Sequence, residues 1–248
     1  AYDNFIFDMD GTIFVGDKPI PPAIEKINAL SKNKNIFLMT NNSSKSKKEY
    51  VSKLRAMGLF INEHQIISSV DNILHFLKTN KVKDVFTIGT NALCKTLQSE
   101  NINPYSKRPE YVVVGYDTSL DYDKLVTACN HINKGVDFIA THIDIFCPTP
   151  NGAIPDCGAM TKMLEITTGK KVKHTFGKPN VEMFDGVDLD MKKTVLLGDR
   201  IHTDGKLAMN VGTDFVLVLS GDSTRDTAEK NTEIPVKLCL KHFGLFDL

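Results

Sequence analysis

Phe5-Ile6-Phe7-Asp8-Met9-Asp10-Gly11-Thr12 is the stretch whose reading decides the fold. Phe5, Ile6 and Phe7 form a short apolar run of the kind a buried strand needs, and it ends in two carboxylates one residue apart. On a strand, residues i and i+2 share a face, so Asp8 and Asp10 leave it aimed the same way. Acids at the carboxyl end of a buried strand stand where open α/β sheets place their chemistry. Gly11 then lets the chain turn away without a Cβ penalty. Taken alone, D-x-D-G is also the composition of an acidic surface turn, so its meaning rests on the rest of the chain.

Outward from that strand the same rhythm recurs. Residues 13–20 form a loop or small hairpin beside the acids, and Pro21 and Pro22 open a helix carried by Ile24, Ile27 and Leu30. Ile36-Phe37-Leu38-Met39 is a second buried strand and runs into Thr40-Asn41-Asn42-Ser43-Ser44. Ser46 with Glu49 spells a capping box for a helix whose stripe is Tyr50, Val51, Leu54 and Met57, stopped at Gly58. A short strand at 65–67 and a helix with Ile73, Leu74 and Leu77 follow. Strands and helices alternating over short links predict a doubly wound parallel sheet, an α/β, Rossmann-like core.

From about Lys81 new material begins. It holds strands at 85–88, 111–114 and 138–140, helices at 92–97 and 125–132, and a polar, proline-containing loop at 141–156. A helix with Met160, Met163 and Leu164 runs to Gly169, its Met160/Met163 stripe read as core. The first style returns with Gly177-Lys178-Pro179 and a strand at 194–197 ending in Gly198-Asp199-Arg200-Ile201-His202-Thr203-Asp204. A helix with Leu207, Ala208 and Val211 and a strand at 215–219 complete it. The expected organisation is a discontinuous catalytic core, residues 1–79 and 175–248, with a smaller α/β cap domain, 80–174, inserted in it.

Three buried strands end in polar chemistry: Asp8 with Asp10, Thr40 with Asn41, and Asp199 with Asp204 behind it. Lys178 sits in a Gly-Lys-Pro turn. A parallel sheet brings such strand ends to one edge, so these residues can converge. Four carboxylates drawn together repel unless a hard cation sits among them, and oxygen-only ligands suit Mg²⁺. One ammonium, one hydroxyl, asparagine and backbone N–H groups suit a tetrahedral oxyanion such as phosphate. The combination reads as phosphoryl transfer through an aspartate nucleophile.

In order and spacing, Asp8-Met9-Asp10-Gly11-Thr12, Thr40, Lys178 and Gly198-Asp199 with Asp204 resemble the four motifs of the haloacid dehalogenase (HAD) superfamily. The insertion, Thr40-Asn41-Asn42, Gly177-Lys178-Pro179 and Leu217-Val218-Leu219-Ser220-Gly221 look like its NagD-like, 4-nitrophenylphosphatase-type branch, over nearly the whole chain. One departure stands out: the cap loop of that branch commonly shows Pro-Gly-x-Gly, whereas here Pro155-Asp156-Cys157-Gly158 carries an acid. The resemblance implies a Mg²⁺-dependent phosphomonoester hydrolase for small phosphate esters such as sugar phosphates, nucleoside monophosphates or 4-nitrophenyl phosphate. It implies that Asp8 attacks phosphorus and that Asp10 serves as general acid and base. Thr40 and Asn41 would hold phosphoryl oxygens, joined in the substrate set by Gly11, Asn42 and Arg200. Lys178 would compensate charge. Asp8, the Asp10 carbonyl and Asp199 would ligate the metal, with Asp204 as a direct or outer partner. The cap and residues 141–158, Asp156 among them, would choose the leaving group, and pairing of caps would give a homodimer. Arg200 reads equally as a salt bridge and as a substrate contact, His202 as a surface residue, and Cys147 and Cys157 as small hydrophobes.

Three other readings use similar residues. A phosphomutase shares the aspartyl phosphate, but the mutases of the superfamily usually carry a helical cap between the first two motifs, and that gap is too short here. A receiver-type phosphoacceptor domain uses Asp, Thr and Lys around Mg²⁺, but is about half this length and lacks the second acid. A phosphatase specific for pyridoxal phosphate or phosphoglycolate stays open. No G-x-G-x-x-G follows a strand, which disfavours a dinucleotide enzyme.

Composition narrows the setting. Hydrophobic residues at 42% and charged ones at 24% suit a globular protein. Thirty basic and thirty acidic residues cancel, so no global field draws the chain to nucleic acid or anionic lipid. The only dense basic cluster, at 45–48, is a solvated helix start. Cysteines 94, 129, 147, 157 and 239 lack C-x-x-C spacing, which argues against a disulfide framework or zinc site and fits a reducing compartment. No charged-then-apolar leader opens the sequence, and its apolar runs fall far short of the ~20 residues a spanning helix needs. The expectation is a soluble cytoplasmic protein with no nucleic-acid or membrane partner.

Overall fold

The computed structural model describes residues 2–149 and 151–246. β1 (Asn4–Asp8) is buried along its whole length. A small hairpin, β2 (Phe14–Val15) and β3 (Lys18–Pro19), follows the acids, then α1 (Ala23–Leu30), β4 (Asn35–Thr40) and α2 (Lys47–Ala56). The capping box is formed as expected: Ser46 and Glu49 satisfy each other's backbone N–H at the start of α2. β5 (Ile66–Ser68) and α3 (Ser69–Thr79) lead away, and β12 (Thr194–Gly198), α7 (Lys206–Val211), β13 (Asp214–Val218), α8 (Arg225–Lys230) and β14 (Leu238–Leu240) close the sheet. Its order is β14-β13-β12-β1-β4-β5, and every neighbouring pair is parallel.

Side-chain alternation along β1 explains the two layers. Phe5 and Phe7 point into one apolar cluster with α1 and α2, through Ile24, Ile27, Tyr50 and Leu54. Ile6 points into the opposite cluster with Leu207 and Ala208 of α7. Phe7 meets Phe243 edge-on at 4.7 Å between ring centroids. Each fully buried phenylalanine contributes about 1.5–3 kcal/mol, so the strand that carries Asp8 is firmly anchored on both faces. Its register with β4 and β12 sets Asp8, Thr40 and Gly198 at one edge of the sheet.

A second parallel sheet comes from the inserted material: β6 (Val85–Ile88), β7 (Tyr111–Val114), β8 (Asp137–Ala140) and β11 (His174–Thr175), in the order β11-β8-β7-β6. α4 (Asn91–Ser99) packs on one face through Leu93 and Leu97. α5 (Tyr122–Asn133) and α6 (Cys157–Thr168) pack on the other, through Ala128, Ile132, Met160 and Leu164. The apolar face of α3 also joins this sheet: Val70, Ile73 and Leu77 cluster with Val85, Val113, Ile139 and Phe176.

Two readings of this region need correction. The 141–156 segment is not all loop, because β9 (Phe146–Thr149) and β10 (Gly152–Pro155) form an antiparallel hairpin there. Neither strand has a buried residue and prolines interrupt both, so the usual apolar alternation is missing. Met163 is not core but 45% exposed. The buried positions of α6 are 157, 158, 160, 161, 164 and 165, an i, i+3, i+4, i+7 stripe, and residue 163 lies off it. Among the described residues no helix is long and apolar enough to cross a membrane.

Candidate active site

The carboxylate of Asp8 emerges from β1 onto the ammonium of Lys178. Lys178 Nζ donates to Asp8 Oδ1 at 2.5 Å and to Asp204 Oδ1 at 2.6 Å. All three side chains are buried. Burial alone would push the lysine toward neutrality, but Asp204 and Asp8 outweigh it and raise its pKa, so it stays charged. Thr12 Oγ1 gives a longer bond to Asp8 Oδ2 at 3.3 Å. Asp10 lines the same cavity as Asp8, Thr40, Asn41, Asn42, Lys178, Asp199 and Arg200. Its carboxyl is raised to about 6, by burial first and then by the charge on Asp8. A carboxyl poised there can give and take a proton near neutral pH.

One oxygen of Asp8, Asp199 and Asp204 each lies within 4.8 Å of the others. Asp199 Oδ2 accepts the Asp222 N–H at 2.6 Å, while the buried Oδ1 has no partner among the described residues. An orphaned anionic oxygen in the interior is costly, and burial, then Asp8 and Asp204, push the Asp199 pKa well up. This donor set fits a hard divalent cation, which would satisfy the free oxygen and offset the repulsion. Both oxygens of Asp204 are already engaged, one by Lys178 and the other by the Arg200 N–H at 3.1 Å.

The remaining expected residues divide by what their side chains touch. Thr40 is buried at the end of β4, its Oγ1 accepting the Asn42 N–H at 3.0 Å. Asn41 has its amide fully committed: Oδ1 takes the Lys178 N–H at 2.7 Å, and Nδ2 gives to the Lys178 carbonyl and to Asp144. Its side chain therefore places Lys178 instead of awaiting a phosphoryl oxygen. Asn42 Oδ1 is likewise held by Ser44. Gly11 stands behind the cavity, with its N–H given to the Phe14 carbonyl at 2.8 Å. Its φ is +90°, and a Cβ there would lie 2.3 Å from Asp199 Oδ2. Gly11 is thus required for the close approach of Asp199. Arg200 makes the salt bridge, Nη1 to Asp144 Oδ1 at 3.1 Å, and also reaches the Phe146 carbonyl at 3.2 Å. His202 is exposed, as expected. The thiols of Cys147 and Cys157 are both pushed up to about 11, chiefly by burial, which keeps them unreactive.

Sequence reasoning named neither Asp144, which ties Asn41 and Arg200 to the inserted sheet, nor Asp222, which orients Asp199. Both lie in loops, where only an acid flanked by apolar residues could have drawn notice.

An aspartate pair at a strand end, a buried lysine and a cation-ready carboxylate cluster on a doubly wound sheet define a phosphoryl-transfer enzyme that works through a carboxylate. Comparison with known proteins makes this specific. Residues 5–103 match the family described as haloacid dehalogenase-like hydrolase, and residues 175–244 one described as HAD-hydrolase-like. The chain is 30% identical to the 5'-nucleotidase YutF of Bacillus subtilis, over 95% of this chain and 94% of that one. The 4-nitrophenylphosphatase of Thermotoga maritima superposes with a TM-score of 0.91 at 34% identity, over 98% of this chain and 95% of the other. A glycerol phosphate phosphatase of Mycobacterium tuberculosis, solved with magnesium, superposes with a TM-score of 0.85 at 26% identity, over 97% and 74%. The chain belongs to the haloacid dehalogenase-like hydrolases, in their NagD and 4-nitrophenylphosphatase branch. Its activity is that of a phosphoric monoester hydrolase.

Proposed function

We propose that Asp8 attacks the phosphorus of a small phosphomonoester and that Asp10 manages the protons. The P–O ester bond breaks as the Asp8–phosphorus bond forms, and the departing alkoxide takes its proton from Asp10. Asp10, now ionised, takes a proton from water, whose oxygen displaces Asp8 and releases inorganic phosphate. Lys178 offsets charge on the nucleophile and the phosphoryl group, and Thr40 closes the oxyanion cradle. Asn41 fixes the Lys178 turn, while Asn42 shapes the cavity wall. Arg200 is the latch on Asp144. The observation that carries this reading is the ammonium of Lys178 set between Asp8 and Asp204, beside a carboxylate with a free buried oxygen.

The metal in this proposal is Mg²⁺, held by Asp8, the Asp10 carbonyl and Asp199, with Asp204 alongside. When bound it draws charge from the phosphoryl oxygens. Chelation should stop phosphate release and Mg²⁺ should restore it. Calorimetry should also show a Tm higher by about 5–10 °C at a hundredfold excess over Kd, the consequence of ligation by the native state alone. Unchanged Tm together with chelator-resistant turnover would overturn it.

Substrate class is a small phosphate ester, of which sugar phosphates, nucleoside monophosphates and 4-nitrophenyl phosphate are the candidates. The division into core (1–79, 175–248) and cap (80–174) is part of the same proposal. α3, which ends the first core segment, packs on the inserted sheet, and β11, which pairs with β8, spans the second boundary, so the chain passes between the two units at these elements. Five free cysteines agree with a cytoplasmic setting. A homodimer through the cap is supported by exposed Tyr122 and Val126 of α5 beside exposed Met163 and Ile166 of α6. Sedimentation should find a dimer that Ile166→Glu converts to monomer, and a monomeric wild-type protein would remove this part.

A further inference from the structure

We propose that Asp156, aimed by His142, reads a hydroxyl on the leaving group, so that the preferred substrates are phosphate esters of small polyols. This rests on the phosphatase reading above and names its substrate class. Asp156 is the N-cap of α6 and is only 5% exposed. Its Oδ1 is saturated, taking the Cys157 N–H at 2.6 Å and meeting His142 Nε2 at 2.8 Å. Oδ2 has no hydrogen-bond partner among the described residues, yet Asp156 lines the cavity that holds Asp8, Asp10 and Lys178. A carboxylate oxygen left without a protein partner on a residue that lines a substrate cavity is an acceptor waiting for a donor.

Asp156 fixes which nitrogen of His142 carries the proton: a carboxylate can only accept, so Nε2 donates to Oδ1. Behind the ring, Thr141 Oγ1 lies 2.9 Å from Nδ1 and 2.9 Å from Ser43 Oγ, which takes the Tyr116 N–H at 2.9 Å. The imidazole is wholly buried, so it holds Asp156 by Oδ1 at the cavity wall. His142 is accordingly a positioning residue.

What such an oxygen selects follows from its neighbours. The other cap acid in the cavity, Asp144, is already paired with Arg200 and Asn41, so among the described residues Asp156 is the cap carboxylate with an open oxygen there. A hydroxyl satisfies it; an aryl or alkyl group leaves it desolvated and unpaired. The enclosed space is about 40 Å³, room for two or three waters at most. A compact leaving group therefore demands the least displacement of the β9–β10 hairpin.

The test compares kcat/KM for glycerol 3-phosphate with that for n-propyl phosphate, an ester of the same carbon count with no donors. Wild type should prefer the glycerol ester by about 10- to 100-fold, the value of a hydrogen bond to a charged group. Asp156→Ser, which keeps a capping oxygen for α6, should bring the ratio to within about threefold of one. His142→Ala should lower the ratio in the same direction, and His142→Asn, which restores an N–H toward Asp156, should recover part of it. Should Asp156→Ser fail to fold, the His142 pair decides, and an unmoved ratio there overturns the proposal. A wild type without preference overturns it too. If that wild type still hydrolyses 4-nitrophenyl phosphate, only this inference falls, whereas release from no ester at all overturns the phosphatase reading itself.

Discussion

Asp8→Asn is expected to lower kcat for phosphate release by about 10⁴- to 10⁶-fold, the usual cost of removing a covalent nucleophile. The amide occupies the same volume on the same strand but cannot form the acyl phosphate. Stability should hardly change, for a reason the geometry supplies. Asp8 shares its surroundings with Asp199 and Asp204, whose oxygens lie within 4.8 Å of its own. Neutralising one of three crowded acids removes repulsion, while Lys178 keeps Asp204 at 2.6 Å as partner. The two effects oppose each other, so the Tm should stay within a few degrees of wild type. Acid-quenched enzyme after exposure to a labelled phosphate ester should retain label in wild type and none in the variant. Sustained turnover by Asp8→Asn would remove the nucleophile assignment and with it the whole reading.

That such a prediction can be framed from the chain itself reflects where the information lies. The strands of the core read clearly because parallel strands buried on both faces are continuous apolar runs, and the chemistry sits at their ends. Asp8, Asp10, Thr40 and Asp199 follow from that rule, and with Lys178 of the Gly-Lys-Pro turn they line one cavity. Other features depend on partners far away in the chain. The periodicity of Ile73 and Leu77 shows a helix but not which sheet its face meets, and it meets the inserted one. Asn41 follows Thr40 directly, yet its amide is spent on Lys178, a bond across 137 positions that no local pattern displays. Gly11 read as a turn residue beside the acids, whereas the closeness of Asp199 across the sheet is what also excludes a side chain there. Asp144 and His142 lie in a stretch read as loop, and only the hairpin and the start of α6 give them their roles.

Lys178→Met should damage folding and catalysis together, unlike Asp8→Asn. Methionine fills much the same space, so the loss measured is that of the charge. Removing one partner of a buried ion pair costs about 3–5 kcal/mol because the other is stranded, and here the ammonium serves two carboxylates at once. For a chain of this size that loss corresponds to a fall in Tm of about 6–20 °C. Phosphate release should drop by a further 10²- to 10³-fold in kcat, the usual effect of deleting one charge-stabilising group at a developing oxyanion. Lys178→Arg separates charge from shape. The ammonium lies 3% exposed between Asp8 and Asp204, and a planar guanidinium cannot bring a point charge into that gap. Arginine should therefore recover more of the stability than of the rate. Added Mg²⁺ should also return part of the lost Tm in Lys178→Met, since a cation at Asp8 and Asp199 relieves the same crowding. A variant that melts like wild type would mean that the carboxylates are not ionised together in the resting protein. The lysine would then be a bystander to the acids it touches.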